Sequence, residues 1–92
     1  MNLNTTFAIR QSVLSRPVGD EIVILELESG AYFGLDPVGA RIWALIGEGT
    51  TFGGLCEIVF TEYEVDHARL KRDVEALIAE LAKQRLLTVK DG

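Results

Sequence analysis

Hydrophobic positions alternate in the first third of this 92-residue chain and recur with helical spacing in the remainder. Thr6 to Val13 alternates weakly through Phe7, Ile9 and Val13, and Arg16-Pro17-Val18-Gly19-Asp20 reads as a turn-rich break. Glu21 to Glu28 is the clearest strand. It places Val23, Leu25 and Leu27 on one face and Ile22, Ile24, Glu26 and Glu28 on the other. Ser29-Gly30 reads as a two-residue turn, after which Ala31 to Leu35 returns as a third strand. The simplest arrangement is a three-stranded antiparallel β-meander.

Three helices are predicted after it. Asp36 is a good N-cap and Pro37 fits the first helical position. The first helix covers Pro37 to Ile46, with Val38, Ile42, Trp43, Leu45 and Ile46 apolar, and Gly47-Glu48-Gly49 stops it. Thr50 or Thr51 caps a second helix through Leu55, Ile58, Val59 and Phe60. Gly53-Gly54 falls in its first turn at a cost of about 1 kcal/mol each, so that end is expected to fray or start late. Asp66 caps the third helix, with Val65 and Leu70 at hydrophobic-staple spacing. Leu70, Val74, Leu77, Ile78 and Leu81 form its stripe, and Lys83 and Arg85 suit the negative end of its dipole. Leu86 to Val89 adds a short strand or packs down. The fold class is α+β and winged helix-turn-helix-like.

Residues 1–92 are expected to form one domain. A net charge of −5 argues against non-specific nucleic-acid binding, which needs a basic face. One cysteine allows no internal disulfide and suits a reducing cytoplasm. No run approaches the ~20 apolar residues of a membrane span, and the first residues lack the features of a signal peptide.

No catalytic set stands out. His67 is expected at the surface of a helix start, and Cys56 as a buried free thiol among apolar neighbours. One cysteine and one histidine are too few for a structural zinc site, and no phosphate-binding glycine loop is present, so no metal or cofactor is expected. Glu26 with Glu28, and Glu57 with Glu62 and Glu64, read as solvated faces.

Tyr32 and Phe33 point to opposite faces of their strand, so only one of them enters the core. Tyr32 then either lies over a neighbouring side chain or belongs to an edge strand left open for an added peptide strand. Glu21 to Glu28 is the middle strand of the meander, which leaves the third strand with a free side.

Tyr32-Phe33-Gly34-Leu35-Asp36-Pro37-Val38-Gly39-Ala40-Arg41-Ile42-Trp43 resembles the PqqD-like family of peptide-recognition domains, in particular the stand-alone members that serve lasso-peptide biosynthesis. Asp73-Val74 followed by Leu77, Leu81 and Leu86-Leu87 is similar to the family's C-terminal helix pattern. The resemblance implies a non-catalytic protein that binds the leader segment of a ribosomally made precursor peptide. It then presents that leader to a separate leader peptidase and, after it, a cyclase. The leader would add antiparallel to Ala31, Tyr32, Phe33, Gly34 and Leu35 and lie between that strand and the third helix. Of the helix's two flanks, Arg69, Asp73, Ala76 and Glu80, beside Leu77 of the apolar stripe, are favoured over His67, Lys71 and Arg85, because Asp73 belongs to the family-like pair. Arg69 and Asp73 would read charged or polar groups on the peptide. Val38, Ile42 and Trp43 are expected as core or groove floor.

Two rival readings remain at this point. A winged-helix DNA-binding regulator would want a basic recognition helix, but Arg69, Lys71 and Arg72 are interleaved with Asp66, Asp73 and Glu75. A small enzyme would have to use Cys56 or a carboxylate pair.

Overall fold

The computed structural model describes residues 1–92. Four strands, β1 (Thr6–Ile9), β2 (Val13–Val18), β3 (Glu21–Glu26) and β4 (Ala31–Leu35), precede three helices, α1 (Pro37–Gly47), α2 (Phe52–Glu62) and α3 (His67–Lys83), and a last strand, β5 (Leu87–Lys90). Strands β2, β3 and β4 form the antiparallel meander in that spatial order. The α+β, winged-helix-like arrangement with three helices behind a three-stranded sheet is therefore present. β1 and β5 pair separately, from Thr6↔Lys90 to Ile9↔Leu87. The core joins Ile24 of the sheet to Ile42, Trp43 and Ile46 of α1, Phe52, Leu55 and Val59 of α2, and Val74, Ile78 and Leu81 of α3.

The first strands differ from expectation. Thr6 to Val13 is not one strand, because the chain turns at Gln11-Ser12 and Val13 opens β2. Arg16, Pro17 and Val18 lie inside β2, and the break shrinks to Gly19-Asp20. Backbone alternation explains why proline is tolerated. The Leu27 amide donates to the Ser12 carbonyl at 2.8 Å, continuing the β2–β3 register by one pair. The backbone groups of Val23 and Leu25 therefore face β2, and those of Ile22 and Ile24 face β4. Pro17 lies opposite Ile22, so its missing N–H would have pointed away from β3, off the sheet edge.

The β3–β4 connection spans Leu27 to Gly30, because the last ladder pair is Glu26↔Ala31, so Ser29-Gly30 is not a two-residue turn. Glu26 is not solvated either: it is 5% exposed. Its carboxylate accepts from the Ser29 amide (2.6 Å), the Ser29 hydroxyl (2.9 Å) and the Ser12 hydroxyl (3.3 Å). These donors, the Ser29 amide first, hold its pKa below the ordinary carboxylate value despite the opposing effect of burial. Glu62 also has a partner. Arg41 Nε and Nη2 donate to its two oxygens at 3.0 and 2.9 Å, linking α1 to the end of α2 and lowering the Glu62 pKa.

Nor does α2 start late. It begins at Phe52 with Thr51 as N-cap, whose hydroxyl accepts from the Gly54 amide at 3.2 Å. The N-terminal segment explains this. The Phe52 amide donates to the Thr5 carbonyl (2.9 Å) and the Gly53 amide to the Leu3 carbonyl (3.0 Å), satisfying first-turn donors that a helix leaves free. A Cβ on Gly53 would sit 3.1 Å from both Cβ and the carbonyl oxygen of Leu3, so the glycine admits this close approach.

The α3 terminus carries a backbone exception. The Leu86 amide donates to the Leu81 carbonyl and the Arg85 amide to the Ala82 carbonyl, both at 3.0 Å. With buried Leu86 and Leu81, this is a Schellman motif. It requires a left-handed residue after the cap, and that residue is Arg85, with φ of 64°, where glycine is usual. The conformation costs about 1 kcal/mol for a residue bearing a Cβ. Arg85→Gly should therefore raise stability by about 1 kcal/mol, read as a higher urea midpoint at unchanged slope.

Acid sensitivity gives a second check. Because Glu26 and Glu62 have lowered folded-state pKa values, their stabilisation is present above the unfolded value of about 4.3 and is lost as pH falls through the folded values. The urea midpoint of the wild type should drop below about pH 4. Glu26→Gln and Glu62→Gln should each flatten that part of the curve.

Candidate functional site: an open strand edge beside an apolar groove

β4 is an edge of the meander. The alternation that directs Ile22 and Ile24 toward it makes Leu35 and Phe33 their hydrogen-bonding partners. Tyr32 and Gly34 consequently turn their N–H and C=O groups away from β3, toward the free edge. The opposite edge, β2, has Pro17 at one of its outward positions and lacks that donor. The β4 edge contains no proline, so its outward donors are intact.

Side chains alternate across β4 in the same way. Ala31 and Phe33 are half-buried and Leu35 is buried, whereas Tyr32 is 71% exposed on the other face. Phe33 is therefore the aromatic that packs on the core. Gly34 has open space around the position of a Cβ, so nothing in the fold itself requires glycine there. The Asp36 carboxylate accepts from the Gly39 amide at 2.8 Å and fixes the point where β4 passes into α1.

An apolar groove of about 630 Å³ runs beside the end of β4. Gly34, Leu35, Val38 and Ile42 line one wall, and Leu70, Asp73, Val74 and Leu77 of α3 line the other. Tyr63 and Val65, from the α2–α3 connection, close its end. At the start of β4 a second hollow of about 490 Å³ lies between Glu26, Glu28, Ser29, Ala31 and Phe33 on one side and Lys83, Gln84 and Arg85 on the other. Both ends of the strand thus lie across open space from α3 and the residues that end it.

The structure gathers most of the sequence-derived site residues on this side. Gly34, Leu35, Asp73 and Leu77 line the groove, and Ala31 and Phe33 line the hollow beside it. Arg69 borders a smaller depression with Asp73, Glu64 and Val65, and its guanidinium lies 3.8 Å from Asp73. Ala76 is exposed and lines neither cavity. Of the expected floor residues, Val38 and Ile42 reach the groove while Trp43 stays in the core. Asp73's flank of α3 faces β4; His67 and Lys71 face α2. Arg85 does not share their side. It lies beyond the end of α3, where helical spacing no longer applies.

The sequence reading missed Tyr63 and Val65, whose position depends on the α2–α3 connection, and the placement of Lys83 and Arg85. Cys56 is half-buried, not fully buried. It lines a third cavity with Leu3, Phe60 and His67, on the α2 side of α3. Burial raises its thiol pKa, which disfavours the nucleophilic thiolate. No helix is long and apolar enough to cross a membrane.

An unpaired strand edge above an apolar groove defines a module that can accept an added peptide strand. The chain belongs to the PqqD family: residues 21–87 match the family model described as coenzyme PQQ synthesis protein D (PqqD). Among solved structures, TbiB1 in complex with the TbiA(beta) leader peptide is 40% identical, with a TM-score of 0.83 over 86% of this chain and 92% of that one. A lasso peptide synthetase B1 complexed with the leader peptide shares the fold, at 24% identity and a TM-score of 0.83 over 89% and 96% of the two chains. No curated protein matches the chain.

Backbone direction makes a prediction about folding alone. Tyr32→Pro and Gly34→Pro remove outward N–H groups and should keep stability within about 1 kcal/mol of wild type. Phe33→Pro removes an inward one and should cost about 3 kcal/mol or more. Thermal melts followed by circular dichroism separate the two classes.

Proposed function

We propose that this protein is a non-catalytic leader-binding module for a ribosomally synthesised, post-translationally modified peptide of the lasso type. A leader segment adds to β4 through Tyr32 and Gly34 and lays alternate side chains into the groove toward α3. The observation that carries this reading is the intact outward edge of β4 directly above the groove. Family membership and the 40% identical leader-peptide complex support it. Residues 1–92 act as one recognition domain that needs no cofactor. A separate leader peptidase, followed by a cyclase, acts on the peptide that it presents.

The energetics suit this task. A flexible leader loses conformational entropy on ordering, and each backbone bond returns about 0.5–1.5 kcal/mol net. Main-chain pairing alone therefore gives weak binding, and apolar burial must supply the remainder. A net affinity of about −8 to −10 kcal/mol, micromolar to tens of nanomolar, is expected.

The test is an anisotropy titration with the labelled leader of the precursor encoded beside this gene. Saturable binding should weaken at least tenfold in Gly34→Pro, whose fold is retained. Leu77→Asp places a charge in the groove, and Gly34→Val places bulk beside the paired edge; both should weaken binding similarly. Cys56→Ser should bind within twofold of wild type. Normal binding by the Gly34→Pro and Tyr32→Pro variants would refute strand addition.

A further inference from the structure

The hollow at the start of β4 is chemically unlike the apolar groove. Its α3 wall consists of Lys83, Gln84 and Arg85. The chain's ion pairs are Arg10–Glu28, Arg41–Glu62 and Arg69–Asp73, so neither Lys83 nor Arg85 has a carboxylate partner. Two acids of the facing hairpin line the same hollow without pairing with either cation: Glu26 accepts from Ser29 and Ser12, and Glu28 lies 3.8 Å from Arg10. Gln84 is tied to Glu80 by a 2.9 Å bond. Two exposed cations without partners therefore border the path along which β4 is open.

Arg85 supplies an independent observation. It occupies the left-handed position of the Schellman motif, with φ of 64°, where glycine would relieve the backbone. A strained residue retained beside a candidate site points to a use for its side chain. Opposite charge gathers at the far end of the groove, where Asp36 and Asp73 stand, with Glu64 and Asp66 bordering the adjoining depression. The far end thus offers no free cation, its Arg69 being paired with Asp73, whereas the Ala31 end offers Lys83 and Arg85 beside the carboxylates of Glu26 and Glu28.

We propose that Lys83 and Arg85 form a cationic subsite that selects an acidic side chain on the downstream, C-terminal side of the strand-pairing segment of the bound peptide. The inference rests on the leader-binding reading. Its direction follows from the sheet, in which every pair is antiparallel, the more stable arrangement per residue. A strand added antiparallel to β4 begins over the apolar groove near Leu35 and leaves past Ala31. The residues that leave past Ala31 pass Lys83 and Arg85. Exposed ion pairs contribute little each, so the subsite tunes selection and does not create binding.

Selection from an mRNA-displayed library of random fifteen-residue peptides tests this without knowledge of the natural leader. Wild-type protein should enrich peptides with a proline-poor apolar stretch followed within a few residues by Asp or Glu. Lys83→Gln with Arg85→Gly, a variant whose fold is helped by the glycine, should enrich the same apolar stretch with no acidic preference. Lys83→Glu with Arg85→Glu should shift the preference to Lys or Arg. For a synthesised wild-type winner, each neutralised cation should weaken binding about two- to fivefold, and added salt should shrink that difference. Enrichment of the apolar stretch without a downstream acid, or an acidic preference unchanged in both variants, overturns the subsite and leaves leader binding intact. No enrichment of any strand-forming peptide overturns both.

Discussion

The structure turns on one unfilled requirement, the outward N–H and C=O groups of Tyr32 and Gly34 on β4. The chain contains a further strand, β5, but it pairs with β1 in a separate two-stranded sheet and leaves β4 open. Helix α3 faces β4 without covering it, and the space between them is the groove. Water satisfies the free backbone groups, so leaving them open costs little. Replacing that water by a peptide gains only the modest net value of each bond. An edge alone therefore makes a weak and unselective site. Selectivity must come from side chains that reach into the space beside it, as in other strand-addition sites.

Keeping an edge strand ordered without a neighbour on one side requires anchors elsewhere. β4 has them at both ends. Just before it, the Glu26 carboxylate gathers the amide and hydroxyl of Ser29. Just after it, the Asp36 carboxylate takes the Gly39 amide and starts α1. Between these points, Phe33 and Leu35 press on the core while Tyr32 and Gly34 remain available. The strand is held by its ends and its inner face, which leaves its outer side free to pair. Both anchors are hydrogen bonds to carboxylates, a kind that is shorter and stronger than bonds between neutral groups.

Local signals in the sequence marked the elements that depend on local chemistry. Asp36-Pro37, Asp66 and the α3 stripe were legible because caps and helical spacing act within one or two turns. β4 was legible as an edge because the hairpin puts the Glu21 to Glu28 strand in the middle. The misread features all depend on distant partners. Pro17 breaks a central strand but not the outer side of β2, and edge position is a property of the whole sheet. Gly53 weakens an isolated helix, yet here it admits Leu3, fifty positions earlier. Alternation divides β3 into two faces without saying which is buried, so Glu26 read as solvated until Ser12 and Ser29 closed around it. Arg85 was assigned by a helical wheel that had already ended.

The features that admit a peptide could admit a second copy of the same edge, and the molecule is built against that outcome. The exposed run is five residues long, a small template for self-pairing. Each copy has a net charge of −5, so two copies repel before their edges meet. In a pair of β4 strands, Phe33 and Leu35 of each copy stay packed on their own core, so the partner brings only Tyr32 as a free large side chain. A peptide strand fills the edge and the groove together. The groove therefore does more than add affinity: it favours an occupant that brings its own apolar side chains over one that offers backbone alone.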